Sequence, residues 1–422
     1  MTPISSQHYL SYFLHLVVAY FFIALVIVPK AYGAGVVLAA VGLLLFIFFA
    51  FKAREKCSLD SSCYAFVAAF CFYFFIYLLD VLIHQDSTKI LDGPSRALAF
   101  LFVFYLFKNY PIKLQLLLYA IPLGGIATGI YAFYQKFFLY YDRALSDTTY
   151  VIQSGDMAMS VGVFSFALFF YCWQKKEVRL SLLCILGALG GILGSFLSGS
   201  RGGWLLMPFI FICLFFTNRK IFTPKVLILF FCLFISAFAV FFIAPNSPVI
   251  SKIEKAKTEI VNFGEKSNAG TSVGARLELW KASLLSVQQK PIFGWGEEGI
   301  KKERKHQHQQ GILAEIPANL GHAHNQFLND TLERGVIGLL SLLAVFLFPL
   351  WQFFKAYQEN KDNLEVKLLA TLGIIHITSV MSYGLTQVFF AHNSGNMFYF
   401  FLTVLFYAML LEYKKQTIHL NK

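Results

Sequence analysis

Residues 64–83 read YAFVAAFCFYFFIYLLDVLI, twenty positions with one charge, Asp80. An α-helix of about 20 mostly apolar residues is long enough to cross the hydrocarbon core of a bilayer. Eleven further runs read the same way: 9–29, 34–51, 94–107, 114–133, 157–174, 180–198, 203–217, 226–244, 335–354, 365–385 and 395–412. The shortest, 94–107, is bracketed by Arg96 and Lys108, and the division between 180–198 and 203–217 rests on Ser198-Gly199-Ser200-Arg201-Gly202-Gly203. The fold expected is all-α, a polytopic membrane protein with about 12 transmembrane helices.

The bulk composition agrees. Of 422 residues, 57% are hydrophobic, 48 are Phe and only 14% are charged, more apolar surface than a soluble domain can hide. The net charge of +12 does not point to nucleic acid, because most Lys and Arg fall in short clusters between apolar runs. The seven cysteines, Cys57, Cys63, Cys71, Cys172, Cys184, Cys213 and Cys232, contain no CxxC and read as small apolar fillers. The amino terminus lacks a basic n-region, and its apolar run is too long for a signal peptide, so it reads as the first span.

The exception to this pattern is residues 245–334, a long polar stretch. The chain therefore divides into spans one to nine (1–244), a large loop (245–334), and spans ten to twelve with a tail (335–422). With the amino terminus cytoplasmic, seventeen Lys and Arg fall in the inner loops and tail, against six in the short outer loops: Lys30, Lys89, Arg96, Lys136, Arg143 and Arg201. The positive-inside rule then places both termini in the cytoplasm and the long loop outside. In a bacterium that is the periplasm, without ATP or nucleotide sugars. Chemistry there needs an already activated, lipid-linked substrate.

The loop itself reads as helical. Residues 249–263 carry Ile253, Ala256, Ile260 and Phe263 at helical spacing. Thr271-Ser272 offers an N-cap to a helix over 275–289 with Leu277, Trp280, Leu284 and Val287 on its apolar face. Residues 291–296, Pro-Ile-Phe-Gly-Trp-Gly, read as a tight turn, and 301–308 as a solvated basic run.

Candidate chemistry gathers at a few residues. Arg276, in the first turn of its predicted helix, is either a surface arginine or part of a phosphate site. Arg201 lies at the end of a span among small residues, where a bulky ligand can approach the backbone. His322 and His324 are two apart, without a carboxylate or cysteine cluster, so a metal site is not expected. His324, neutral at pH 7, suits a general base, and Asn325 beside it could orient a substrate or the imidazole. His376 and His392 read as local hydrogen-bonding residues. Asp80 is either a proton-relay group or a partner for Arg96.

Four motifs in order then point to a family: Ser200-Arg201 after the seventh span, Ser272-Val273-Gly274-Ala275-Arg276-Leu277 in the loop, His322-Ala323-His324-Asn325, and Leu332-Glu333-Arg334-Gly335-Val336-Ile337-Gly338. With the large loop between spans nine and ten, the chain resembles the bacterial O-antigen ligases of the O-antigen ligase/polymerase superfamily. The resemblance implies glycan transfer from undecaprenyl diphosphate to lipid A–core oligosaccharide, without metal, cofactor or ATP, on the periplasmic side of the inner membrane. It implies Arg201 and Arg276 as diphosphate-binding residues and His324 as the catalytic histidine. Arg143, His322 and Asn325 are further substrate-binding candidates, Arg143 in Tyr141-Asp142-Arg143-Ala144 without the residues that usually follow. Close alternatives are an O-antigen polymerase or a protein O-oligosaccharyltransferase. A lipid-glycan transporter would need charges threaded through several spans, and here the spans are largely clean.

Overall fold

A computed structural model describes residues 3–52, 61–205, 207–218 and 272–420. They are helical throughout, with no strand among them: α1 (Pro3–Ala24), α2 (Ala34–Lys52), α3 (Ser61–His84), α4 (Ser95–Asn109), α5 (Leu114–Phe137), α6 (Val151–Gln174), α7 (Val178–Ser198), α8 (Met207–Asn218), α9 (Ser272–Gln289), α10 (Glu297–Gln309), α11 (Glu315–Ala318), α12 (Gln326–Glu359), α13 (Leu364–Gly384) and α14 (Asn393–Leu420). Nine helical stretches among the described residues are long and apolar enough to cross a membrane, and two shorter apolar helices cover His8–Ala24 and Gly202–Phe215. The chain is a multi-pass membrane protein. The expected span over 226–244 and the amphipathic segment over 249–263 lie outside the described residues. Among the boundaries that differ from expectation, α6 starts at Val151, which brings Asp156 inside the helix, and α12 starts at Gln326.

The chain forms two compact units, Met1–Ile210 with Leu340–Lys422, and Phe211–Leu339. In the first, α6 and α14 are interior helices and the others sheathe them. Every residue of α6 from Gln153 to Phe170 is buried, including Ser154, Asp156, Ser160 and Ser165. A helix walled by other helices can carry polar residues that lipid would not tolerate. α7 packs between α5 and α6 through Gly187, Gly190, Gly191 and Gly194. This small-residue stripe lets the backbones nearly touch. A Cβ on Gly129 would lie 2.5 Å from Gly190 Cα, and one on Gly191 would lie 2.6 Å from Gly162 N. Around α14 the abundant aromatics find their role: Phe66 stacks on Tyr407 at 4.6 Å, Phe21 meets Phe401 at 4.4 Å, and Tyr399 donates its hydroxyl to the Val345 carbonyl. Asp80 does not pair with Arg96. Its carboxylate meets His84 Nδ1 one helical turn on, at 2.9 Å, while Arg96 pairs with Asp92 at 2.8 Å, because i,i+4 neighbours are already within reach. His376 Nε2 lies 3.0 Å from the Tyr399 carbonyl.

The second unit is built on α9, α10, α11 and the start of α12. Leu279, Ala282 and Leu313 form one small core, and Ile300, Ala323 and Leu332 another. α12 is not one regular helix: Gly335 stands at φ 66°, ψ −161°, and interrupts it. The turn over 291–296 fits that interruption. Trp295 N donates to Leu332 O at 2.9 Å, Gly296 N to Glu333 O at 2.8 Å, and Val336 N to Pro291 O at 2.8 Å. Carbonyls released by the broken helix are thus re-paired by the turn. A Cβ at Gly335 would overlap the Ile292 carbonyl, and one at Gly294 the backbone of Glu333. The two motifs, far apart in sequence, interlock backbone to backbone.

Two outcomes follow from this packing. Gly129→Ala should lower the thermal unfolding midpoint of the detergent-purified protein by several degrees, since overpacking costs on the order of 1–3 kcal/mol. Gly33→Ala, whose added methyl meets nothing, should leave it unchanged. Likewise Gly335→Ala should be clearly more destabilising than Gly311→Ala. Both have positive φ, 66° and 72°, and only the first would also collide with a neighbouring chain segment.

Candidate functional site

The Arg201 cluster starts where α7 stops. Gly199, at φ 68°, ends the helix in the left-handed conformation, and its N–H donates to Phe196 O at 3.0 Å. The chain then turns through Ser200–Gly203 onto Asp156 of α6. Ser200 Oγ lies 2.7 Å from Asp156 Oδ1 and 3.1 Å from the Ile152 carbonyl, and Ser200 N donates to Ser198 Oγ at 3.1 Å. Gly202 and Gly203 lie over the same carboxylate: a Cβ on either would come within 3.2 or 3.3 Å of Asp156 Oδ1, and one on Gly202 within 2.9 Å of Thr386 Oγ1. The small residues therefore serve this turn first. Its product is an exposed Arg201 whose side chain has no hydrogen bond or ion pair among the described residues.

Arg143 reaches the same turn. Its Nε donates to the Ser198 carbonyl at 2.7 Å. The loop that carries it is tied down by Gln135, whose Oε1 accepts from Leu145 N at 2.6 Å and whose Nε2 donates to Asp147 at 2.7 Å. Burial draws the Arg143 guanidinium below the ordinary arginine range, and the nearby positive charge of Arg201 acts in the same direction. Two cations thus share one turn over a buried carboxylate.

The His324 cluster belongs to the second unit. His324 has φ 50°, uncommon for a residue with a side chain. Its ring nitrogens make no hydrogen bond among the described residues. The ring meets that of His322 edge to face at 4.4 Å, and His324 N donates to His322 Nδ1 at 3.3 Å, which places the proton of a neutral His322 on Nε2. Burial first, then repulsion from His322 when that ring is protonated and from the charges of Arg276 and Arg304, pushes the His324 imidazole down to about 4. It is neutral at pH 7 and able to accept a proton.

Asn325 has a structural task as well as its place in the motif. Its Oδ1 accepts from Leu328 N at 3.0 Å and its carbonyl from Asn329 N at 2.9 Å, so it is the N-cap of α12. α9 begins at Ser272, earlier than expected, so Arg276 sits in the second helical turn and not among the unbonded N–H groups of the first. Nothing in Ser272-Val273-Gly274 stops a helix, and the side chain of Arg276 alone carries its charge toward the site.

Two residues escaped the sequence reading. Asp156 was passed over because it stands just before an apolar run. Arg304 was hidden in the segment read as a solvated basic run, and α10 corrects that reading. Lys301 pairs with Glu297 and Glu298 on the outside, and His306 and His308 are exposed, but Ile300, Glu303, Arg304 and Gln307 form a buried face. Arg304 is 2% exposed, and its Nη1 donates to the Leu320 carbonyl at 2.8 Å. Burial lowers its pKa, and Glu333 opposes that effect. Positions 300, 303, 304 and 307 recur at helical spacing, and this was the available signal.

Comparison with known proteins places these motifs. The sequence profile of the family described as O-Antigen ligase matches residues 186–343, which include Arg201, Arg276, His322, His324 and Gly335. An uncharacterized protein of Haemophilus influenzae is 35% identical over 395 residues, 93% of this chain and 97% of that one. With a relative aligned over nearly its whole length and the family profile on the segment that bears the motifs, the chain belongs to the O-antigen ligase/polymerase superfamily.

Proposed function

We propose that the protein transfers an O-antigen or related glycan from undecaprenyl diphosphate to lipid A–core oligosaccharide at the periplasmic face of the inner membrane. The observation that carries this reading is His324: a neutral imidazole with uncommitted ring nitrogens, in a field of arginines. In the proposed step His324 takes the proton of an acceptor hydroxyl. The hydroxyl oxygen bonds to the anomeric carbon, the bond from that carbon to the diphosphate oxygen breaks, and the electron pair leaves with the diphosphate. Arg201 and Arg276 stabilise the charge that grows there, more strongly in the transition state than in the ground state. Arg143, His322 and Asn325 line the substrate path. Attack opposite the leaving group inverts the anomeric centre, an outcome product NMR reads directly.

Deletion of the gene should leave lipopolysaccharide as bare core on gels while undecaprenyl-linked glycan accumulates. Core bearing a single repeat would instead favour a polymerase, normal ladders with unglycosylated protein would favour the protein-glycosylating alternative, and unchanged ladders and proteins would overturn the transferase reading. Arg201→Ala and Arg276→Ala should each cost about 3 kcal/mol, on the order of a hundredfold in rate. His324→Ala should fail to complement at normal membrane levels.

The depressed imidazole sets the pH dependence. A base whose pKa is lowered stays unprotonated to lower pH, so kcat/KM, which reports the free enzyme, should hold as pH falls through 6.5 and decline only toward about 4. A decline centred at 6.5 would show that His324 is solvated in the working enzyme.

A further inference from the structure

His324 and Arg276 lie 48 positions apart, and two clamps hold the loop before His324, one of them from the helix that carries Arg276. Arg276 and Trp280 are four apart on α9, hence on the same face one turn apart. The indole N–H of Trp280 donates to the Ala323 carbonyl at 2.7 Å. From the other side, Ala323 N–H donates to Asn329 Oδ1 at 3.1 Å. The peptide unit before His324 is thereby held at its oxygen by α9, and the one before it at its nitrogen by α12. Ala323 is 0% exposed, so neither group has water as an alternative partner. Asn329 is in turn oriented by Glu333, whose Oε1 accepts from its Nδ2 at 2.9 Å and whose Oε2 accepts from Arg334 Nη2 at 2.6 Å.

These bonds also answer a cost. A non-glycine residue in the left-handed region is strained and persists only where its surroundings over-determine it. Here the clamps act on one side of His324 and the Asn325 cap on the other. We infer that Trp280 and Asn329 are positioning residues: Trp280 latches the His324 loop to α9, the helix that carries Arg276, and Asn329 latches the same loop to α12, so that base and cation keep a fixed separation. The inference rests on the roles proposed for His324 and Arg276, while the latch can be tested separately from them. A misplacement of about 1 Å at a reacting group can cost on the order of a hundredfold, so the loss of one clamp should appear in turnover.

The variants are Trp280→Phe, which keeps the ring and removes the N–H, and Asn329→Leu. Purified full-length protein in detergent is treated with diethyl pyrocarbonate, and carbethoxylation is followed at each histidine by mass spectrometry. His324 should react severalfold faster in either variant, while exposed His306 reacts as before and the unfolding midpoint stays within a few degrees. An unchanged rate at His324 overturns the latch whatever the enzyme's activity. Turnover is read with an undecaprenyl-diphosphate-linked oligosaccharide and lipid A–core. Trp280→Phe should lose tenfold or more in kcat with donor KM within twofold, and the double variant should be little worse than the poorer single one, because both release the same loop. A change confined to KM, or losses that multiply, overturns the inference. His324→Ala separates the two ideas: if it retains full kcat the proposed base falls, and if it is inactive while Trp280→Phe is normal in both assays only the latch falls.

Discussion

A helix that stops among apolar neighbours releases backbone donors and acceptors, and each must be paired again. Both candidate clusters stand at such interruptions. At the end of α7, Gly199 turns the chain and Asp156, Ser198 and Arg143 collect the groups of the turn. At Gly335 of α12, the turn over 291–296 supplies the missing partners. At the first, the repaired turn leaves the candidate residue Arg201 exposed, and at the second it locks the 291–296 segment onto the start of α12.

Charge is handled in the same way. The first cluster sets two arginines over one buried carboxylate. The second surrounds a neutral histidine with Arg276 and a buried Arg304, and Glu333 and Asp330 hold Arg334 nearby. In the second cluster, burial and the charges of Arg276 and Arg304 act together at His324, where an anion gains more than it would in solvent, whereas Arg201 of the first stands exposed. That is the electrostatic character expected of a site that receives a departing diphosphate, and it explains why an imidazole with no hydrogen-bonded carboxylate remains neutral.

Much of the helical layout was legible in the sequence, because hydropathy and the position of Gly and Pro are one-dimensional signals. The short run over 94–107 proved to be α4 despite Arg96, since Asp92 one turn earlier neutralises that charge. The limits of α6 were missed for the same reason in reverse: Asp156 looks like the edge of a polar loop until the turn after α7 is folded onto it. α10 looked solvated because its charged residues were counted without their phase. Phase decides that Lys301 meets glutamates outside while Arg304 goes in.

The sequence alone determined that the chain is a helical membrane protein, roughly where most of its apolar helices run, and which arginines and histidine belong to recognisable motifs. Those follow from local composition and spacing, which act over a few turns of helix. Only the tertiary structure decided that Arg143 shares the turn of Arg201, that Gly294 and Gly335 interlock, that Arg304 is buried near His324, and that Trp280 holds the His324 loop. Each of these joins residues tens of positions apart, and their meeting depends on how helices pack and on which buried backbone groups remain to be satisfied.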